Sequence, residues 1–193
     1  VSRCLELAIL LEVSAYPKPG NVHRTADFQE TKYEHFLASA VAVAPHFKHA
    51  AERGIKVSEG KINPADVEIG KIIKEAVKSV SLWQSGGNTL LGSIIVLSPI
   101  AVAAGMLAKE KFSISKLREN IRVIVESSTP TDAVNVYDAI LIAKPNGLGR
   151  APKLDVADPA SKKKILDEQV TLFEVFKIAS AYDFIASEWV NNY

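Results

Sequence analysis

Apolar residues recur at helical spacing along almost the whole chain, and no segment alternates apolar and polar residues with a period of two. Helical spacing indicates helices that bury one face, whereas period-two alternation is typical of half-buried strands. The 193 residues are 48% hydrophobic, which suffices for one well-packed core. The pattern predicts an all-α fold: a single compact multi-helix domain of about seven helices over residues 1–193. Because the chain begins at Val1, we also consider a truncated part of a longer chain.

Local signals in the sequence mark where the helices should begin and end. Gly54 follows Arg53 and is expected to be the C′ residue that ends the second helix. Asn63 and Pro64 form a helix start, with Asn as N-cap and Pro at the first helical position. The apolar spacing after residue 162 predicts one long final helix, with a bend near Asp183.

The longest apolar stretch, Leu90–Ala108, approaches the roughly 20 residues that a membrane span needs. Glycine, serine and proline interrupt this stretch, and no aromatic belt flanks it. We therefore expect it to be the buried central helix of the domain, and we expect no membrane association.

The formal net charge is +1, from 23 basic and 22 acidic residues. Such a balance provides no global field for nucleic acid or an anionic membrane, although a local basic cluster can still bind a small anion. Cys4 is the only cysteine, which excludes an intramolecular disulfide and a cysteine-based metal cluster. Together with the absence of a signal-peptide pattern, these features lead us to expect a cytoplasmic protein.

A stiff loop should follow the first helix, because Pro17 and Pro19 each fix a backbone angle and remove an N–H donor. Gly20 permits a turn there. The loop carries four side chains that can bind an anion: Lys18, Asn21, His23 and Arg24. Loops on a helical scaffold are common binding sites. A plain Pro-Gly turn with a solvated basic fringe is the alternative.

A second loop, Gln84–Gly92, contains the sequence Gly86-Gly-Asn-Thr89 before the long apolar helix. Free N–H groups and the positive end of the helix dipole favour phosphate at such a position. The alternative is an ordinary turn between helices in which Asn88 is a cap. The loop is not a Walker A motif, since it lacks the Lys-Ser/Thr ending and follows no strand.

Acidic and imidazole side chains offer weaker candidates for a metal site. Asp27 can hold a cation or orient a hydroxyl group. His46 and His49 are three residues apart and can face one ion, but no third ligand lies within reach in sequence. We therefore interpret these two histidines as surface residues.

Taken together, the two loops resemble the triphosphoribosyl-dephospho-CoA synthase family. The landmarks are Pro17-Lys-Pro-Gly20, then Arg24 and Asp27, then Phe36-Leu-Ala-Ser39, then the glycine-rich turn with Gly92. They follow the family's order over roughly residues 8 to 106, and the Glu-Val-x-x-x-Pro-Lys-Pro-Gly pattern is the most specific part.

The resemblance implies an all-helical transferase that joins the ribosyl carbon of ATP to 3′-dephospho-CoA and expels adenine. The product is the precursor of a prosthetic group, and Mg²⁺ is expected with the nucleotide, without a tightly bound organic cofactor. Asp27 and Lys18 are the implied catalytic residues, and Asp27 is also the implied Mg²⁺ ligand. The implied nucleotide- and phosphate-binding residues are Lys18, Asn21, Arg24, Gly86, Gly87, Asn88 and Thr89.

Two departures from the family pattern keep other functions open. Leu90 and Leu91 stand where the family has His-Lys, and Thr25–Phe28 is a shortened segment that lacks the family's histidine. The first alternative is a non-catalytic nucleotide- or phosphate-binding helical protein. A further alternative is an interaction protein, or a homo-oligomer, whose last apolar helix packs on another subunit. It rests on the aromatic residues near the chain end: Phe184, Trp189 and Tyr193.

Overall fold

The computed structural model describes all 193 residues, which form nine α-helices, one short 3₁₀ turn and no strand. The helices are α1 (Ser2–Ser14), α2 (Tyr33–Ser58), α3 (Ile69–Trp83), α4 (Leu91–Met106), α5 (Ile114–Glu126), α6 (Pro130–Ala143), α7 (Pro159–Asp167), α8 (Leu172–Ala179) and α9 (Phe184–Asn191). The all-α prediction is confirmed, whereas the expected number of about seven helices is too low.

The two additional helices come from the end of the chain, where one long helix was expected. The structure has α7, α8 and α9 there instead. Thr171 and Glu174 form a capping box at the start of α8, and the Asp183 carboxylate accepts a hydrogen bond from the Ala186 N–H at the start of α9. Because these side chains satisfy the free N–H groups of new helices, the chain turns twice where apolar spacing alone predicts continuity.

The cluster of 35 buried apolar residues at the centre of the fold surrounds α2 and α4, which pack closely against each other. A Cβ atom on Gly54 would lie 1.9 Å from the Val102 carbonyl oxygen, and one on Gly105 would lie 2.0 Å from the Ala51 carbonyl oxygen. The prediction that Gly54 ends α2 is therefore wrong. This glycine lies inside the helix and lets the two backbones approach.

The segment after Asn63 also differs from the prediction. Pro64–Val67 forms only a 3₁₀ turn, and Glu68 then adopts a left-handed backbone with φ 58° before α3 begins. The start of α3 is held by α6, because the buried Asp132 carboxylate accepts a hydrogen bond from the Gly70 N–H at 2.8 Å. A contact across 62 residues thus fixes this helix start.

The central helix α4 contains Pro99, which cannot donate a hydrogen bond to the carbonyl oxygen of Ile95 four residues earlier. The fully buried Trp189 supplies the missing donor, with its Nε1 atom 3.2 Å from that oxygen. This bond attaches α9 to α4. No helix of the structure has the length and apolar character needed to cross a membrane.

Candidate functional site

The loop after α1 and the loop before α4 lie against each other. The Thr31 hydroxyl donates a hydrogen bond to the Gly86 carbonyl oxygen at 2.7 Å. Ser39 and Thr89 hydroxyl oxygens are also 2.7 Å apart, and because Ser39 donates to the His35 carbonyl oxygen, Thr89 is the donor in this pair. These contacts join two segments more than 45 residues apart in sequence and make one site from the two loops.

Between the loops lies a polar cleft of ≈ 360 Å³. Three of the residues that the sequence predicts for phosphate binding line it: Asn21, Asn88 and Thr89. The others in its wall are Glu12, Val22, Phe28, Thr31, Phe36, Leu91, Gly92, Ser93 and Asn146. The cleft is therefore built from the end of α1, both loops, the first turns of α2 and α4, and the segment after α6.

The first turn of α4 presents unpaired donors to the cleft. The Asn88 side chain accepts a hydrogen bond from the Leu91 N–H at 3.1 Å, whereas the N–H groups of Gly92 and Ser93 have no partner within the chain. Both residues line the cleft, and α4 is 16 residues long. Free N–H groups at the positive end of a helix dipole attract anions.

Glu12 is the one ionisable side chain in the wall of the cleft. Its carboxylate lies 2.5 Å from the Lys18 Nζ atom, and Lys18 is also 3.4 Å from the Glu12 carbonyl oxygen. Our sequence reasoning did not select Glu12 as a site residue, although it begins the most specific part of the family pattern. The structure thus brings Lys18 to the cleft through Glu12 and not as a wall residue.

Arg24 and Asp27 lie outside the wall of the cleft. Arg24 is at the tip of a tight turn closed by paired hydrogen bonds between residues 23 and 26, and its guanidinium carbon is 5.8 Å from the centre of the Tyr16 ring. The Asp27 carboxylate accepts a hydrogen bond from the Tyr33 N–H at 2.7 Å, at the start of α2. Their assignments to phosphate, catalysis and Mg²⁺ stay predictions.

The two glycines of the second loop have different surroundings. Gly86 is buried, and a Cβ atom there would lie 2.0 Å from the Nδ1 atom of His35. Gly87 is exposed, has a left-handed φ of 74°, and faces a neighbouring cavity of ≈ 280 Å³. Gly86 therefore permits close packing of the second loop on α2, while Gly87 permits the turn.

The two leucines that replace the family's polar pair also differ. Leu90 is only 3% exposed and belongs to the hydrophobic core. Leu91 is half-buried and lines the polar cleft. An apolar residue at position 90 is thus explained by packing, and only Leu91 adds apolar surface to the cleft.

A second, mainly apolar cavity of ≈ 530 Å³ adjoins the cleft. The two share four wall residues, Asn88, Leu91, Gly92 and Asn146. Two tyrosines also line this cavity, and burial raises the pKa of both Tyr137 and Tyr182, with further increases from nearby acidic or phenolic groups. Both phenols therefore stay protonated at neutral pH.

No three side chains of the His, Cys, Asp or Glu type lie close enough together to hold a metal ion. His46 is half-buried, and its Nε2 atom is 2.7 Å from the Ser79 hydroxyl oxygen. Burial lowers its pKa, a nearby Glu75 raises it, and His49 lowers it further, so the pKa lies below the ordinary value. This histidine links α2 to α3.

The fold and the cleft define an all-helical protein with a polar cleft at a helix N-terminus beside a mainly apolar cavity. The family model described as CitG, ATP:dephospho-CoA triphosphoribosyl transferase, matches residues 1–193, and the chain therefore belongs to this family. The family resemblance of the two loops is thereby confirmed. No curated protein and no solved structure matches the chain.

Proposed function

We propose that the protein transfers the triphosphoribosyl group of ATP to 3′-dephospho-CoA and releases adenine. The observation that carries this proposal is the polar cleft at the α4 N-terminus, in a chain that matches the transferase family over its whole length. A triphosphate is the most highly charged part of either substrate, and the cleft offers the donors that such a group needs.

The triphosphate would bind at the first turn of α4. The free N–H groups of Gly92 and Ser93 would donate hydrogen bonds to phosphate oxygens, and the side-chain amides of Asn21 and Asn88 would add donors from each loop. Hydrogen bonds to charged groups contribute about 1.5–3 kcal/mol each. Lys18 would add a positive charge at the edge of the cleft.

Mg²⁺ fits this arrangement through Glu12. Mg²⁺ is usually held by one or two carboxylates together with substrate phosphates, and Glu12 is the one carboxylate in the wall of the cleft. When bound, the ion would neutralise charge on the triphosphate. We propose Glu12 as its protein ligand, while Asp27 stays the prediction from the family pattern.

The reaction forms a bond between a hydroxyl oxygen of dephospho-CoA and C1′ of the ATP ribose, and breaks the bond from C1′ to the adenine nitrogen. The hydroxyl group loses its proton, and adenine takes up one as it leaves. Positive charge develops on the ribose in the transition state. The half-buried Leu91 would limit water at the boundary of cleft and cavity.

The test is an incubation with ATP, Mg²⁺ and 3′-dephospho-CoA, with products identified by mass spectrometry. We expect free adenine together with an adduct of matching mass. Glu12→Gln should lower the rate strongly, whereas Glu30→Gln, at an exposed residue outside the cleft, should not.

Intact ATP after a long incubation would contradict the proposed reaction. If ATP binds without release of adenine, the protein is a nucleotide-binding module, which is the alternative left open by Leu90 and Leu91. Equal rates for Glu12→Gln and Glu30→Gln would remove Glu12 from the site.

A further inference from the structure

The cavity of ≈ 530 Å³ beside the cleft has a different chemistry from the cleft. Its walls come from α4, α6, α8 and α9, with apolar side chains such as Ile95, Ile140 and Phe176. The segment 145–156 between α6 and α7 forms its cover. Its volume is within the range of about 300–1,000 Å³ found for small-molecule sites.

Two cations lie in the cover of this cavity. Arg150 and Lys153 are both exposed, and neither forms a salt bridge. Two carboxylates, those of Asp155 and Asp183, also line the cavity, but both accept hydrogen bonds from backbone N–H groups. A mainly apolar cavity bordered by cations without a carboxylate partner suits a ligand with an apolar arm attached to an anionic group.

We propose that this cavity receives the pantetheine arm of the dephospho-CoA acceptor and that Arg150 and Lys153 bind the pyrophosphate from which the arm extends. The inference rests on the proposed function, because it concerns the second substrate of that reaction. It assigns a separate place to each substrate: ATP phosphates in the polar cleft, and the acceptor arm in the apolar cavity.

The adjacency of the two spaces supports this assignment. The ribose hydroxyl of the acceptor must reach C1′ of ATP, and the arm must then leave the reacting centre. Both spaces are lined by the same four residues, Asn88, Leu91, Gly92 and Asn146, so the cleft and the cavity meet at this boundary. Asn146 and Tyr182 can hydrogen-bond the amides of the arm.

A cavity-filling substitution tests the assignment. Ala179 is half-buried and lines the cavity, whereas Ala181 is exposed and does not. Calorimetry should show that Ala179→Phe weakens binding of dephospho-CoA by about tenfold or more, as expected for a disturbed apolar pocket. Binding of Mg·ATP, and of ADP as an acceptor fragment without the arm, should stay unchanged. Ala181→Phe should affect none of the three.

A charge substitution provides a second test that does not alter the core. Arg150→Ala should weaken dephospho-CoA and ADP together, by about 10-fold to 150-fold. Lys163→Ala removes an exposed cation outside the cavity and should have no effect. If Arg150→Ala binds dephospho-CoA and ADP as tightly as the unmodified protein, Arg150 does not bind the pyrophosphate.

The results separate this inference from the proposed reaction. Unchanged binding of dephospho-CoA in Ala179→Phe would overturn the inference, and an equal loss of Mg·ATP would mean that ATP occupies the cavity instead. Adenine release by the unmodified protein tests the reaction independently. If Ala179→Phe selectively loses dephospho-CoA binding but the unmodified protein releases no adenine, the arm site is supported and the reaction is contradicted. If the unmodified protein does not bind dephospho-CoA, both proposals are overturned.

Discussion

Replacement of Gly86 by alanine should disturb the packing of the second loop against the start of α2. A Cβ atom at this position would lie 2.0 Å from Nδ1, 2.5 Å from Cγ and 2.8 Å from Cε1 of the His35 ring. The ring must move, but its Nδ1 atom accepts a hydrogen bond from the Lys32 N–H at 3.0 Å and thereby caps α2. The ring cannot move aside without losing this bond.

The expected cost follows from these two effects. Overpacking of a close contact costs about 1–3 kcal/mol, and loss of a hydrogen bond costs about 0.5–1.5 kcal/mol. Gly86→Ala should therefore lower the free energy of unfolding by about 2–4 kcal/mol. In a His35→Ala background both effects are absent, so adding Gly86→Ala should cost little or stabilise slightly.

Chemical denaturation of the four proteins in this double-mutant cycle measures the coupling, which we expect to be about 2 kcal/mol or more. Gly87→Ala is the matched control. No neighbouring atom lies within 4 Å of a Cβ atom added at Gly87. The expected cost of about 1–2 kcal/mol comes from the left-handed φ of 74°, so it should not depend on His35. Additive costs for Gly86→Ala and His35→Ala would refute the reasoning.

Two further predictions concern stability and pH. Asp138 lies 2.7 Å from Lys74 and also pairs with Lys162; burial raises its pKa, but the hydrogen bonds from the two lysines lower it below the ordinary value. Asp138→Asn should lower the free energy of unfolding at pH 7 by about 1 kcal/mol. This difference from the unmodified protein should disappear as the pH falls below about 4, because the carboxylate is then protonated. A difference that stays constant with pH would contradict this role of Asp138. The pKa of His46 is lowered mainly by burial, so the folded protein should lose stability as the pH falls below about 6.5. Denaturation curves of His46→Gln, which removes the ring that contacts Ser79, should lack this loss of stability between about pH 7.5 and 5.5. If the variant and the unmodified protein show the same pH dependence, His46 is not the cause of the loss.

The sequence predicts the helices whose signals are local. The Ser113 hydroxyl accepts a hydrogen bond from the Lys116 N–H at the start of α5, which is the usual role of a serine at an N-cap. Pro130 and Asp132 begin α6 as the helix-start pattern indicates. Both signals act within one turn, so they can be found without knowledge of the tertiary structure.

The errors occur where distant contacts decide the outcome. Gly54 has the same local appearance whether it ends a helix or permits the approach of another one, and only the backbone of Val102 distinguishes the two. Pro99 looks like an interruption of α4, yet Trp189 replaces its missing hydrogen bond from 90 residues further on. Such partners are not visible in a local pattern.

The candidate site shows the same division. Asn88 and Thr89 could be selected because glycine-rich turns before helices suit phosphate. Glu12 was missed because a carboxylate on a helix has many ordinary roles, and only the fold brings it to the wall of the cleft. The contact between the two loops is visible only in the structure, where Thr31 bonds to Gly86 and Thr89 bonds to Ser39 of α2.

The most direct measurement of the central claim is the affinity of Mg·ATP for variants of Ser93. Proline is tolerated in the first turn of a helix, so Ser93→Pro removes the free N–H group while α4 is retained. Ser93→Ala removes only the hydroxyl group and is the control. If the triphosphate binds at the α4 N-terminus, calorimetry should show a loss of about 1.5–3 kcal/mol for Ser93→Pro and little change for Ser93→Ala. Equal affinities, with unchanged melting temperatures, would contradict the claim.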